Sequence, residues 1–453
     1  MAGTTGLTTR LCDWVCSTGY SDIPAEVRKE AVTIIYDTIG GMIASSTLSS
    51  CQPVVEIVKA MGGNKDCSVV GHPVKTTVTY AALANGTIGH GDEVDSTGQH
   101  RTGHFAAVTV PAAITMGQYV KASGKELIRA LALGSEVAAR IRSVQSEFAS
   151  DARARQFSGN SANTLGAAVV AGILLGLDAT RMEHAVGLAA HQASGLGAQF
   201  HDPTHESKSL GFGITTQAGV LAALLAQRGF HGTPEILTVE NGFFDAFTGY
   251  ADYASLGNRV LDDLGNTYLI RQIAYKRFPV GRPDQAPLYA FLQLLKSHKL
   301  TADDIEQVEV NMSRHDFWVA DTLKHPSVHL PTILSLAAVF GDVCFQHIHQ
   351  AQYYQDPRVE TFKDRIKLLP DRDTDIQRKR FEAEIRVYTR NGEVLNQQLC
   401  APLMNEEEIQ HKFRSLVGLR VNQEKMLDLE SKLKGVEAVD NVASLISELE
   451  LSP

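Results

Sequence analysis

The sequence predicts a mainly α protein in which a large all-α helical domain carries an inserted, smaller α+β lid domain. Runs with helical spacing fill the first half of the chain, and polar and apolar residues alternate in several stretches after about residue 265. From Glu406 to Leu451 the pattern returns to charged helices. These changes place the helical domain at 1–265, the α+β lid domain at 266–400 and a C-terminal segment that returns to the helical domain at 401–453.

The first half is predicted to be a helical bundle. Apolar or small residues recur at spacings of three and four from Val27 to Thr38, which predicts a helix that begins after Pro24 and ends near Gly40 and Gly41. Later runs are rich in Ala and Gly on several sides, so neighbouring helices are expected to bury them. The further helical runs are 76–89, 106–121, 125–143, 162–176, 180–191 and 215–228.

Strand patterns appear in the region assigned to the lid domain. IEQVEVNMS (305–313) and RFEAEIRVYTRNGEVLNQQLC (380–400) alternate polar and apolar residues, and Asn391-Gly392 is a strong hairpin signal. Helical pieces between them predict an α+β unit. These pieces are 285–298, 330–341 and 358–366.

Length and composition restrict the class of protein. A chain of 453 residues exceeds one ordinary core, so two domains are expected. The hydrophobic fraction of 44% and charged fraction of 21% are typical of a globular protein. The net charge of −9 comes without an extended basic tract, so no nucleic-acid partner is expected.

The chain is expected to be cytoplasmic, without a membrane partner. Its first residues, MAGTTGLTTRLCDWVCSTG, lack the charged and apolar regions of a secretory signal. The most apolar run, GAAVVAGILLGL (166–177), is too short to span a bilayer. The six cysteines include no CxxC pair, which favours free thiols in a reducing compartment.

Ionisable side chains of both signs crowd residues 89–104, GHGDEVDSTGQHRTGH. Neighbouring carboxylates raise one another's pKa, and nearby cations lower it, so such a cluster suits proton transfer. An ordinary solvated loop is the alternative. The ionisable residues are His90, Asp92, Glu93, Asp95, His100, Arg101 and His104.

Several longer strings together resemble one family, the MmgE/PrpD proteins, which include 2-methylcitrate dehydratase, cis-aconitate decarboxylase and iminodisuccinate epimerase. The resemblance covers most of the chain and is specific to the family, but it does not separate these reactions. The strings are NGTIGHGDEVDSTGQHRTGHFAAVTVPAA (85–113), LALGSEVAARI (131–141), SKSLGFGITTQAGVLAALLAQRGFHG (207–232), YKRFPVGRPDQAPLYA (275–290) and QDPRVETFKDRIKL (355–368).

The resemblance implies a helical domain with an α+β lid, a homodimer, a site between the two domains, and no cofactor or metal. Its motifs supply the candidate residues one at a time. The catalytic candidates are His104, Asp95, Lys208 and Lys276, and the substrate-binding candidates are Glu93, Thr97 and Arg282.

Some positions of the chain match the family's strings, and others depart from them. Glu93 stands where the H-x-x-D-x-D-D-T string has an aspartate, whereas Asp95 and Thr97 match it. Lys208 and Lys276 match the lysines of the T-K-P-L-H-A-G and K-x-[YF]-P strings.

Three family histidines are missing. The His-Pro-Thr segment reads QFSGNSANTLG here, Gly211 and Ile214 replace the histidine and arginine of K-P-L-H-A-G-R, and Gln285 replaces a later histidine beside Arg282. Each lost histidine removes a possible proton donor. The departures leave room for a different substrate or reaction.

The candidate residues suit chemistry through a carbanion. Removal of a proton next to a carboxylate needs a base, and cations stabilise the resulting negative charge. His104 has the pKa range for either proton role, Asp95 would orient it, and Lys208 and Lys276 would hold carboxylates. The structural alternatives are a helix-entry histidine, surface lysines, and turn-forming carboxylates at Glu93 and Asp95.

Histidine pairs raise the question of a metal, and the sequence predicts none. Gly103, Pro203 and Pro326 interrupt regular helix across the three HxxxH pairs, and HExxH is absent. The pairs are His100/His104, His201/His205 and His325/His329, with HxH at His347/His349.

The function expected from the sequence is a cofactor-independent lyase of the dehydratase type that acts on a small di- or tricarboxylate. The alternatives are an epimerase or isomerase, a decarboxylase of an anionic substrate, or a non-catalytic family member that acts as a binding module. The missing histidines motivate the last of these.

Overall fold

The computed structural model describes residues 6–99, 102–150, 156–371 and 382–452. Helices make up 61% of the protein, and the strands form one small sheet and two short pairs, so the mainly α class is confirmed. His100 and Arg101 of the ionisable cluster lie outside the described residues.

The first part of the chain is a packed set of helices that share one core. Two short antiparallel pairs, Cys67–Ser68 with Lys75–Thr76 and Thr97–Gly98 with Ile273–Ala274, lie among them. The α-helices are Leu7–Ser17, Ala25–Ser45, Gln52–Met61, Val78–Gly89, Ala106–Val120, Gly124–Phe148, Ser161–Leu174, Ala179–Gln192, Glu206–Gln227, Phe243–Thr248 and Tyr253–Leu261.

Glycines let two helices that build the site cross closely. A Cβ on Gly213 would lie 2.6 Å from the carbonyl oxygen of Leu83, and a Cβ on Gly86 would lie 3.0 Å from the Cα of Gly213. Such contacts need residues without side chains at the crossing. The helix Glu206–Gln227 is therefore held against the helix Val78–Gly89, whose end leads into the ionisable cluster.

The predicted end of the second helix near Gly40 and Gly41 is wrong, since this helix continues to Ser45. Gly40 faces another helix: a Cβ there would lie 2.7 Å from Cδ2 of Phe413. The glycine serves close packing rather than termination.

The second part has its own core around a four-stranded sheet. In order across the sheet the strands are Ile366–Pro370, Ile305–Met312, Glu382–Thr389 and Val394–Cys400. The first two are parallel and the other neighbours are antiparallel. The predicted hairpin is confirmed, with Gly392 at φ +87°. The helices are Gln285–His298, Arg314–Thr322, Leu330–Phe340, Phe345–His349, Ala351–Tyr354 and Pro357–Lys363.

The last part of the chain packs into the first core. The helices Glu406–Val417, Gln423–Lys434 and Val442–Ser447 contribute buried residues to the same cluster as residues 7–273, whereas residues 280–395 form the second cluster. This packing agrees with a returning C-terminal segment; the domain boundaries themselves stay a prediction.

One helix among the described residues, Glu206–Gln227, has the length and apolar composition that could cross a membrane. It is longer than the apolar run at 166–177 considered from the sequence. In its most apolar window 67% is buried inside the protein, as in a core helix.

Candidate functional site

Residues 90–96 of the ionisable cluster form a buried loop. The helix Val78–Gly89 ends at His90, and the loop leads to the short strand Thr97–Gly98. Thr97 pairs with Ala274 in the antiparallel register. Continuing that register by two residues sets Asp95 opposite Lys276, which brings two positions far apart in sequence into contact.

Glu93 is a buried carboxylate surrounded by cations. The ammonium groups of Lys208 and Lys276 donate to its two oxygens, and His205 Nε2 lies 3.0 Å from Oε1. Burial alone would raise the pKa of Glu93, but Lys208 and Lys276 hold it well below its ordinary value. Glu93 is therefore ionised and fixed in place.

Asp95 bridges two histidines. Nδ1 of His104 donates to Oδ2 at 2.7 Å, and Nδ1 of His90 donates to Oδ1 at 2.8 Å. Lys276 Nζ donates to Oδ1 at 3.3 Å. Burial acts to raise the pKa of Asp95, but His90, Lys276 and His104 together hold it well below its ordinary value. The bond from Nδ1 fixes the tautomer of His104 and leaves Nε2 for a ligand.

His90 packs the loop against the helix Glu206–Gln227, which contains Phe212. Its ring stacks on Phe212 with centroids 4.2 Å apart. Burial lowers the pKa of His90 to about 4, against the opposing charge of Asp95, so the ring is neutral near pH 7.

Lys276 lies behind Glu93 rather than on the cavity wall. Burial acts to lower its pKa, but Asp95 and Glu93 raise it above the ordinary value, so the ammonium group stays charged. Its two carboxylate partners occupy it. The geometry gives Lys276 an electrostatic part in the site and leaves direct substrate contact to other cations.

The C-terminal part of the chain also holds the loop. Lys412 donates to the carbonyl oxygen of Val94 at 2.9 Å and pairs with Asp37 at 2.7 Å. No local sequence pattern indicates this role of Lys412, because it depends on packing between segments more than 300 residues apart.

A cavity of about 210 Å³ opens beside the loop and is small for a ligand pocket. Five of the seven residues selected from sequence line it: Glu93, Thr97, His104, Lys208 and Arg282. Asp95 and Lys276 lie directly behind this wall, in contact with His104 and Glu93.

Further residues of the cavity wall were not selected from sequence. Arg142, Asn160 and His205 line it with Phe212. Asn160 belongs to QFSGNSANTLG, so the segment that lacks the family's histidine still reaches the site. Of the described residues on its wall, Lys208, Arg142 and Arg282 are cationic, which suits a small anion.

Gln285, which replaces another family histidine, is bonded to backbone. Its Oε1 accepts from the backbone N–H groups of Arg277 and Phe278, and its Nε2 donates to the carbonyl oxygens of Phe278 and Val280. Gln285 therefore stabilises the turn that carries Arg282.

Two sets of potential metal ligands occur among the described residues: His90, Asp95 and His104, and His90, Glu93 and His205. Within each set the ligand atoms lie within 4.8 Å of one another. The ammonium groups of Lys208 and Lys276 already neutralise the two carboxylates, so the donor set is that of an ion-paired site and we assign no metal ligand.

Comparison with protein families gives two matches. The model of the MmgE/PrpD N-terminal domain matches residues 9–256, and that of the MmgE/PrpD C-terminal domain matches residues 278–434.

Curated proteins similar to the chain are named cis-aconitate decarboxylases. The chain is 30% identical to the Homo sapiens enzyme over 253 residues, which span 54% of this chain and 50% of the human protein. It is 24% identical to cis-aconitate decarboxylase-like protein oryM of Aspergillus oryzae over 487 aligned residues, covering 97% and 96% of the two chains. It is 26% identical to the Mus musculus enzyme over 438 residues, covering 90% and 86%.

Proposed function

Because the chain belongs to the MmgE/PrpD family, we propose that it is a lyase that acts on a small di- or tricarboxylate by proton transfer at His104. The family resemblance of the sequence is thereby confirmed.

The observation that carries the proposal is the hydrogen bond from His104 to Asp95 on the wall of a cationic cavity. A buried carboxylate that accepts from Nδ1 stabilises the imidazolium formed when Nε2 takes a proton. His104 is partly exposed to the cavity, whereas Asp95 is buried. This arrangement supports His104 as the group that exchanges a proton with a bound substrate.

The cations around the cavity support a negatively charged substrate and a carbanion-like intermediate. Arg142 and Arg282 supply guanidinium groups, which bind carboxylates in a bidentate manner. Lys208 lines the cavity next to its partner Glu93, where its charge stabilises an enolate. Lys276 contacts Glu93 on the side away from the cavity and adds positive charge to the site.

Loss of water and loss of CO₂ are the two candidate reactions. A dehydration is the reaction of the dehydratase-type lyase that the sequence leads us to expect, although the family resemblance also admits a decarboxylation. A decarboxylation is favoured by the names of the relatives, since those from Homo sapiens and Mus musculus are named cis-aconitate decarboxylase. Both pass through negative charge on a carbon next to a carboxylate, so the same cations serve either reaction.

We further propose a homodimer and a cytoplasmic location. The family resemblance supports the dimer. The six free cysteines, which are typical of a reducing compartment, support the location.

The test is a panel of small carboxylates followed by proton NMR in D₂O. The panel contains hydroxylated, unsaturated and saturated di- and tricarboxylates, including cis-aconitate. Loss of water or release of CO₂ with deuterium entering the product supports the corresponding lyase. Exchange without either loss favours an epimerase, and neither exchange nor turnover across the panel favours a binding module.

A further inference from the structure

A second cavity lies on the other side of the ionisable loop. Its volume is about 680 Å³, roughly three times that of the cavity beside His104. Gly91, Asp92, His325 and His349 line it, and so does His205. His205 is thus on the wall of both cavities.

The two ring nitrogens of His205 have different surroundings. Nε2 lies 3.0 Å from Glu93 Oε1, on the side of the smaller cavity. Nδ1 is buried and makes no hydrogen bond to any group in the part of the chain that the structure describes. An imidazole accepts a proton at one nitrogen and releases one from the other, so this ring is arranged for transfer in two directions.

His325 lies beside His205 on the wall of the larger cavity. Its ring is stacked nearly parallel to that of His205, with centroids 5.9 Å apart and an interplanar angle of 18°, so a proton passes between the two rings through a bridging water and not directly. Burial lowers the pKa of His325, and the charge of Asp92 opposes this effect. A neutral imidazole of this kind accepts a proton and gives it up again.

Asp92 supplies the counter-charge. Its Oδ2 lies 2.7 Å from His349 Nε2 and 3.9 Å from His325 Nδ1, and Oδ1 accepts from Ser327 Oγ at 2.8 Å. Burial acts to raise the pKa of Asp92, but its histidine neighbours hold it well below the ordinary value. The carboxylate stabilises a proton on the adjacent imidazoles.

We propose that His205 is the second proton-transfer residue of the site and that it exchanges protons with solvent through His325 and the larger cavity. This inference rests on the proposed lyase function. It assigns a proton donor in a chain that lacks three histidines of its family.

Both candidate reactions use a protonated group of this kind. In a dehydration, His104 takes the proton from carbon, the C–O bond breaks, and protonated His205 gives its proton to the departing hydroxyl to form water. In a decarboxylation, the C–C bond to CO₂ breaks, the electron pair stays on carbon, and an imidazolium protonates that carbon. Before the next turnover His205 must regain a proton from solvent, and after a dehydration His104 must also release the proton that it took from carbon.

The test compares three variants with the wild type on a substrate found in the panel. H205Q keeps an N–H group for Glu93 but cannot transfer protons. H205A opens a space toward the larger cavity, where imidazole can enter. H201A is the matched control, because His201 is exposed and lies four residues earlier. Circular dichroism and Tm verify that each variant is folded.

The expected result is a fall in turnover of about 10²–10⁴-fold for H205Q and H205A, with H201A unchanged. Added imidazole should restore the turnover of H205A in a saturable manner. The restored turnover should also change with the pKa of the imidazole that is added. Should H205A fail to fold, loss of one limb from the pH–rate profile of folded H205Q takes the place of rescue.

Two results would overturn the inference. One is wild-type turnover by H205Q. The other is a folded, slow H205A that imidazole does not restore, which would mean that His205 only supports Glu93. A parallel H104A variant separates the two proposals: slow H104A with fully active H205Q removes His205 alone, whereas a wild-type protein inert toward the whole panel removes the lyase function and this inference with it.

Discussion

Asp92 and Glu93 are neighbours in the chain, yet their carboxylates belong to two different cavities. Glu93 lines the smaller one and is held by Lys208 and Lys276. Asp92 lines the larger one and accepts from His349. The loop is thus a thin wall with one carboxylate on each side, and charges near it act on both cavities.

Replacement of His104 by alanine should reduce turnover by about 10²–10⁴-fold, because the proton-transfer group is removed while the cationic wall stays. Initial rates on the substrate from the carboxylate panel measure the effect. His298→Ala is the matched control, since His298 is exposed at the end of its helix. Equal rates for the wild type and the His104 variant would remove His104 from the mechanism.

Replacement of Lys276 by methionine should lower the free energy of unfolding by about 3–5 kcal/mol, because Glu93 and Asp95 lose their shared buried cation. Urea unfolding followed by circular dichroism measures the change. Lys296→Met, at an exposed helical position, should leave stability within about 0.5 kcal/mol.

A loss below about 1 kcal/mol for Lys276→Met would contradict this account. It would show that water or neighbouring cations compensate the two carboxylates.

Much of the helical framework and the local part of the site could be predicted from sequence. Periodicity placed the helix Gln285–His298 correctly, and the loop around Glu93 and Asp95 was found because its ionisable residues are close together in the chain. Such features depend on neighbours within a few residues.

The rest of the site depends on contacts between distant segments. Lys412 holds the loop from the C-terminal helix, and His205 reaches it because the helix Glu206–Gln227 begins nine residues earlier than the predicted 215–228. The close crossing of the two helices at Gly86 and Gly213 brings the start of the helix Glu206–Gln227 near the loop. Neither periodicity nor motif spacing contains that information, and in sequence His205 was considered as a partner of His201 instead.

Stability should fall as the pH drops from about 6.5 to about 4, in part through His90. The folded protein keeps His90 neutral to about pH 4, whereas the unfolded chain binds a proton near pH 6.5. The stabilisation is therefore present above pH 6.5 and is lost as the pH falls, by about 3 kcal/mol for this group. Glu93 and Asp95, whose pKa values are depressed, extend the loss below about pH 4.

Unfolding free energies of the wild type and His90→Gln at half-unit pH steps measure this contribution. The variant should show a flatter profile between pH 4 and 6.5, and the same decline below pH 4. Parallel profiles for the two proteins across the whole range would show that His90 does not cause the loss of stability between pH 6.5 and pH 4.

Replacement of Asp284 by asparagine should stabilise the protein at neutral pH. Asp284 is fully buried, and neither carboxyl oxygen has a hydrogen-bond partner among the described residues. Burial, followed by the charges of Glu93 and Asp316, raises its pKa well above the ordinary value. The folded protein therefore holds a proton there that the unfolded chain releases above about pH 4, so Asp284 costs stability as the pH rises.

Asparagine has nearly the same shape and carries no such proton, so the gain in unfolding free energy should grow from about pH 4 upward until the folded carboxyl group ionises, and it should level off above that pH. Chemical unfolding at these pH values measures it. Asp303→Asn, at a position exposed to solvent, is the matched control and should show no such growth. A gain for Asp284→Asn that is the same at pH 4 and pH 7 would assign the effect to packing rather than to the buried proton.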